Sequence, residues 1–251
     1  MRFDKRKYLC EKFAIMKEAT QKWQSQLAEV ARPEKIAVLS SFFKTGKGEY
    51  GEGDVFIGVT VPDNRAVAKR KFDQPMEVIK EMLESQVHEH RLSALLALVE
   101  RYRKIKSERE EIVRFYLANT AGINNWDLVD LSAPKIIGEY TIDRHHEILM
   151  RLAESGNLWE TRIAIVATLA HIRAGKPEIA FELIDRFKNH EHDLIQKVSG
   201  WMLREIGKKN RSLMMDYLEA NAPTMARTTL RYAIEHLEKE ERMRLLSLRK
   251  Q

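Results

Sequence analysis

Disulfides are excluded at the outset: the 251-residue chain holds one cysteine, Cys10, which has no partner within it. A reducing, intracellular compartment is the expected setting, and with no motif around it the Cys10 thiol is read as incidental. Glycine (11) and proline (6) are also scarce, so turn breakers are few and helix-forming sequence dominates. Long apolar runs are missing from the start of the chain. The first twenty residues, MRFDKRKYLCEKFAIMKEAT, carry charges throughout, which argues against a signal peptide or membrane helix there and makes a soluble, cytoplasmic protein the expectation. Nothing after Pro75 reads as a strand. At this length one large domain or a repeat array buries a sizeable core without staples.

A net excess of either charge is nearly lacking over most of the chain. Residues 1–196 hold 31 Lys/Arg against 30 Asp/Glu, whereas residues 197–251 hold 12 against 7, so the last fifth carries +5 of the net +6. Phosphate binding and a solvated helical face explain that excess equally well.

Helical periodicity runs from about Pro75 to Leu248, broken by short turn signals at 107–111, 121–125, 154–157, 174–177, 188–192 and 221–223. Three segments begin alike: HRLSALLALVERY with Arg91, TRIAIVATLAHI with Arg162 and QKVSGWMLREIG with Lys197. Arg162 and Lys197 are 35 residues apart, and Arg91 and Arg162 are 71 apart, or two such periods, so a middle copy should start near residue 126. NNWDLVDLSAPK lies there. In an α-solenoid equivalent helices stack side by side, which gives a row Arg91, Trp126, Arg162, Lys197 and, one turn on, Leu95, Asp130, Val166, Trp201. An acid in a slot that is otherwise apolar calls for a reason.

Four stretches, FFKTGKGEYGEGDVFIGVTVPDNR (42–65), NNWDLVD (124–130), NLWETRIAI (157–165) and IQKVSGWMLRE (195–205), resemble the AlkD-type alkylpurine DNA glycosylases. The resemblance runs from about Gln21 to Glu235. It implies an all-α, curved α-solenoid of HEAT-like repeats with a basic concave groove, formed as a single domain over residues 1–251 with a non-helical loop at 42–63. The implied activity is hydrolysis of the N-glycosidic bond of cationic N3- and N7-alkylpurines in duplex DNA, by a monomer that needs neither cofactor nor metal and works without enclosing the base. Carried onto this sequence, the resemblance makes Asp130 the catalytic carboxylate, Trp126 and Trp201 lesion-binding aromatics and Arg162 a DNA contact. Lys197, Arg91 and Arg204 complete the expected DNA-binding set. The GEYGEGD loop is longer than in the best-known members, and residues before about Met16 have no counterpart, so residues 1–20 read as an N-terminal extension, with Met16 an alternative start.

The chemistry suits one carboxylate. Alkylation at N3 or N7 puts a positive charge on the purine, which then leaves without a general acid. What remains is to stabilise positive charge on the deoxyribose and to align a water. A non-catalytic protein binding distorted or branched DNA through the same groove is the alternative reading.

Bland readings stand beside these. Both tryptophans also suit a core, and Asp127 suits the positive end of a helix macrodipole. The pairs His88/His90, His145/His146 and His190/His192 lack metal-ligand spacing and read as solvated or capping. KTGKGEYGEGD lacks the order of a phosphate-binding loop and reads as exposed.

Overall fold

The computed structural model describes residues 5–248. The side chains of residues 5–11 and 13 lie outside the description, and so therefore do the expectations for Cys10 and for the start of the chain. The fold is all-α and of α-solenoid type, and the chain forms two compact units, one ending at Leu128 and one beginning at Val129. Among the described residues no helix is long and apolar enough to cross a membrane.

The first unit contains α1 (Lys5–Ala28), α2 (Ile36–Phe42), α3 (Val61–Ala68), α4 (Met76–Leu83), α5 (His88–Lys104) and α6 (Arg109–Ala118). Helix α5 is its core element: Leu92, Leu95 and Leu98 are buried, and α1, α3, α4 and α6 pack against it. Trp23 of α1 is fully buried, and its Nε1–H donates to Ser93 Oγ at 2.9 Å, which satisfies the one polar atom the indole carries inside. Residues 43–60 form no helix. They are pinned by Glu89, a 2% exposed residue whose carboxylate accepts the N–H groups of Ile57, Gly58 and Val59 at 2.8–3.2 Å. Gly58 is obligatory there, since at φ +90° a Cβ would stand 2.1 Å from the Arg32 carbonyl oxygen. Helix α2 buries none of its residues and leaves Val38 and Phe42 exposed.

Helix α7 (Trp126–Ala133) carries the boundary between the units. A π-helical turn, Pro134–Gly138, follows it, and then α8 (Glu139–Thr141), α9 (His146–Glu154), α10 (Leu158–Arg173), α11 (Glu178–Phe187), α12 (Asp193–Lys209), α13 (Arg211–Asn221), α14 (Arg227–Ala233) and α15 (Lys239–Ser247). Helix α10 is buried on every side from Thr161 to Ile172, and α9, α11, α12 and the π-turn surround it. Starts are set by caps: Asn157 Oδ1 accepts the N–H groups of Trp159 and Glu160, and Asn210 Oδ1 that of Leu213. The repeat is visible in the helix starts. His88 and Asp193 open α5 and α12 three periods of 35 apart, with Trp126 and Leu158 opening α7 and α10 between them.

Candidate nucleic-acid site

The expected row is shifted by one turn. Arg162 and Lys197 are each the fifth residue of their helix, and the fifth residue of α7 is Asp130, not Trp126. Asp130 therefore shares the slot of the two basic residues, and the contact bears this out. Arg162 donates Nε–H to Asp130 Oδ1 at 3.0 Å and Nη2–H to Oδ2 at 2.8 Å, a fork gripping both carboxylate oxygens. Its Nη1 donates to the Leu194 carbonyl at 2.9 Å. The Arg162 side chain is 6% exposed and that of Asp130 17%, so the arginine is an internal brace while the carboxylate still reaches solvent. Spacing alone could not detect the shift, because the turn before α7 differs in length from those before α10 and α12.

Pro134 opens the π-turn four residues after Asp130. Having no N–H, it cannot close the usual bond to the Asp130 carbonyl, and at the end of the turn Glu139 N–H bonds Pro134 O, five residues back. The helix is widened directly behind the carboxylate.

The remaining predicted residues fall as follows. Trp201 is part-exposed on α12, with Nε1–H donating to Glu205 Oε1 at 3.1 Å, which fixes the indole on its own helix. Lys197 pairs with Asp193 at 2.5 Å and keeps a 38% exposed side chain. Arg204 is 17% exposed and bonds Glu235. Arg91, expected at phosphate, is instead buried: Nη2 donates to Asp54 Oδ1 at 2.6 Å and Nη1 to the carbonyls of Ser85 and Gln86. Its partner lies 37 residues back in a loop with no helical register, so no periodicity announced it.

Around Trp126 the first unit builds an aromatic stack that sequence reasoning did not assemble. Asn125 Oδ1 caps the Trp126 N–H at 2.8 Å. The indole lies nearly parallel to the Phe43 ring at 5.0 Å and meets Phe42 edge-on at 5.5 Å. Phe43 stacks on Phe56 at 5.1 Å, and Phe56 on the His88 imidazole at 4.7 Å. Trp126 is part-exposed and Phe42 60% exposed, whereas Phe43 and Phe56 are buried. The signal was FFKTG…GDVF itself, three phenylalanines, Phe42, Phe43 and Phe56, bracketing a glycine-rich loop.

The histidines divide. His190 Nδ1 accepts the N–H of His192, and His192 Nδ1 that of Leu194, as capping residues do. His88 and His90 are neither solvated nor capping but buried, at 1% and 8% exposure. Burial and the Arg91 charge push His90 down to about 4. His88 faces Asp54 Oδ2 through Nδ1 and Asp127 Oδ2 through Nε2, both at 2.9 Å. Burial pulls His88 down, but the charge and hydrogen bond of Asp127 and the hydrogen bond of Asp54 outweigh it and lift the imidazole to about 9. Asp54 is raised by burial yet ends below its usual range, through His88 and Arg91.

A pKa above the unfolded value of 6.5 stabilises the fold fully below that pH, and the contribution is lost as pH rises through about 9. Thermal melts from pH 6 to 10 are expected to show wild type losing on the order of 3 kcal/mol relative to His88→Gln. Parallel melting curves across that range contradict the assignment.

Residues 23–237 match the profile of the DNA alkylation repair enzymes. The chain belongs to that family. DNA repair is thus its field of action and DNA its partner. Among solved structures, one titled a predicted DNA alkylation repair enzyme from Enterococcus faecalis aligns with a TM-score of 0.64 at 21% identity, over 83% of this chain and 97% of its own, a likeness in fold. No curated protein matches the sequence.

Proposed function

We propose that this repair protein is a monofunctional DNA glycosylase that releases cationic N3- and N7-alkylpurines, such as 3-methyladenine and 7-methylguanine, from duplex DNA. The observation that carries the reading is Asp130: a solvent-reaching carboxylate with both oxygens held by a buried guanidinium, one helical turn beyond the part-exposed indole of Trp126. An alkylated purine is already a good leaving group. A fixed negative charge that stabilises the oxocarbenium-like sugar and orients a water supplies what the reaction lacks. Arg162 sets the direction of that charge before substrate arrives, so little reorganisation accompanies the bond breaking. Trp126 and Trp201 hold the cationic nucleotide through their faces, contacts worth roughly 0.5–2 kcal/mol each. Lys197 and Arg204 exchange their carboxylate partners for phosphates and fix register without reading sequence. Arg91 has no part in this scheme, and Arg162 acts through Asp130 rather than on phosphate.

Wild-type protein is expected to release free 7-methylguanine from methylated duplex DNA and no uracil from a uracil-containing duplex, since a neutral base needs leaving-group activation that this site does not offer. High-performance liquid chromatography of the released bases reads both. Duplex binding with no 7-methylguanine release would instead make the protein a non-catalytic binder of distorted DNA.

A further inference from the structure

The residues given roles above leave one buried ionic cluster unused. Asp54 and Asp127 are each within 2.9 Å of a different ring nitrogen of His88. A carboxylate only accepts hydrogen bonds, so satisfying both requires two N–H donors on one imidazole, which is the imidazolium. Arg91 completes the cluster from its own helix, and Asn125 Nδ2 approaches Asp54 Oδ2 at 3.4 Å. The charged groups facing His88 are thus Asp54 from the loop, Asp127 from α7 and Arg91 from α5, two negative against two positive once the imidazole is protonated. Side-chain exposures of 2% for His88 and 5% for each of Asp54, Asp127 and Arg91 keep the cluster out of water.

What this cluster joins gives it meaning. Asp54 closes the glycine-rich loop, Asp127 follows Trp126 in the first turn of α7, and the imidazole face stacks on Phe56, at the foot of the rings that end in Trp126. We propose that His88 is a positioning residue for Trp126, clamping the loop through Asp54 to the first turn of α7 through Asp127 and so pressing the Phe43–Phe56 stack against the indole. The GEYGEGD loop then serves as the backing of the lesion-binding face rather than as a contact with DNA. The inference rests on the lesion-binding role proposed for Trp126, but the placement of the indole can be tested apart from activity.

Trp126 emission, isolated as wild type minus Trp126→Phe, is expected to change through pH about 9 and to be pH-independent between 6.5 and 10 in the His88→Gln background. Should His88→Gln not fold, Asp54→Asn replaces it and moves the transition to lower pH by removing one of the two charges that hold the proton. Emission that is flat in wild type, or that titrates identically in the variant, overturns the proposal. The activity arm is a double-mutant cycle: His88→Gln lowers single-turnover 7-methylguanine release about tenfold in the wild-type background and less than about twofold in Trp126→Ala. Equal factors in both backgrounds mean that His88 does not act through Trp126. If wild type releases no base at all, the glycosylase reading fails, and the fluorescence arm still decides the placement.

Discussion

Asp130→Asn is expected to lower single-turnover release of 7-methylguanine by roughly 10²–10³-fold, the loss typical when one preorganised electrostatic group is removed from an active site. Asparagine keeps the shape of the side chain but loses the charge, and it presents an NH2 group to one arm of the Arg162 fork, where a carboxylate oxygen stood at 2.8 or 3.0 Å. Because the Arg162 side chain is only 6% exposed, the substitution also leaves a buried guanidinium under-compensated, which costs about 3–5 kcal/mol in comparable buried pairs. Rates are therefore to be compared at a temperature where circular dichroism shows both proteins folded. Duplex affinity, measured by fluorescence anisotropy, should change far less than the rate. A variant that releases 7-methylguanine as fast as wild type would remove Asp130 from the chemistry.

Gly200→Ala should produce the other large effect, on stability. Gly200 lies where α12 and α14 touch, and a Cβ there would stand 2.3 Å from the Thr229 carbonyl oxygen and 2.5 Å from Tyr232 Cβ. Neither atom is the end of a flexible side chain, so the helices themselves must separate. Alanine brings back about 1 kcal/mol of helix propensity, but overpacking against backbone exceeds it, for a net loss of about 2 kcal/mol or more. Gly207, about two turns further along α12, is the internal control. Its added Cβ would meet Met214 Sδ at 2.3 Å, an atom that can swing aside, so Gly207→Ala should be near neutral. Melting temperatures decide: equal shifts for the two variants would show that α12 and α14 are not held as closely as described. Trp201 follows Gly200 directly, so a parted α12 also carries the second tryptophan with it.

The helices were legible because their signals are local. Scarce glycine and proline, turn signals such as that at 154–157, and a period of 35 all lie within one turn or one repeat of what they determine. Asp130 drew notice as an acid in a slot read as apolar, whereas the helix starts put it in the slot of Arg162 and Lys197. Its partner was not legible. Arg162 was read as a phosphate contact because sequence shows charge without showing which way it faces, and only the register of α7 against α10 turns the two side chains toward each other. Arg91 and His88 were hidden more deeply. Both depend on Asp54, held in an irregular segment whose path is set by Glu89 and Gly58 rather than by periodicity. Long-range polar pairing through a loop leaves no spacing to read.

The common slot of Asp130, Arg162 and Lys197 has a bearing on how such a protein could arise. Two of the three positions carry a cation, and the third, on the helix stacked beside Arg162, carries the opposite sign. Inverting the sign at one member of a repeated basic slot sets a carboxylate beside the guanidinium of the next helix, which grips both of its oxygens. No new pocket, loop or cofactor has to be added, because the neighbouring arginine already supplies the brace. Repetition provides the brace, and one exception to it provides the carboxylate that the brace holds.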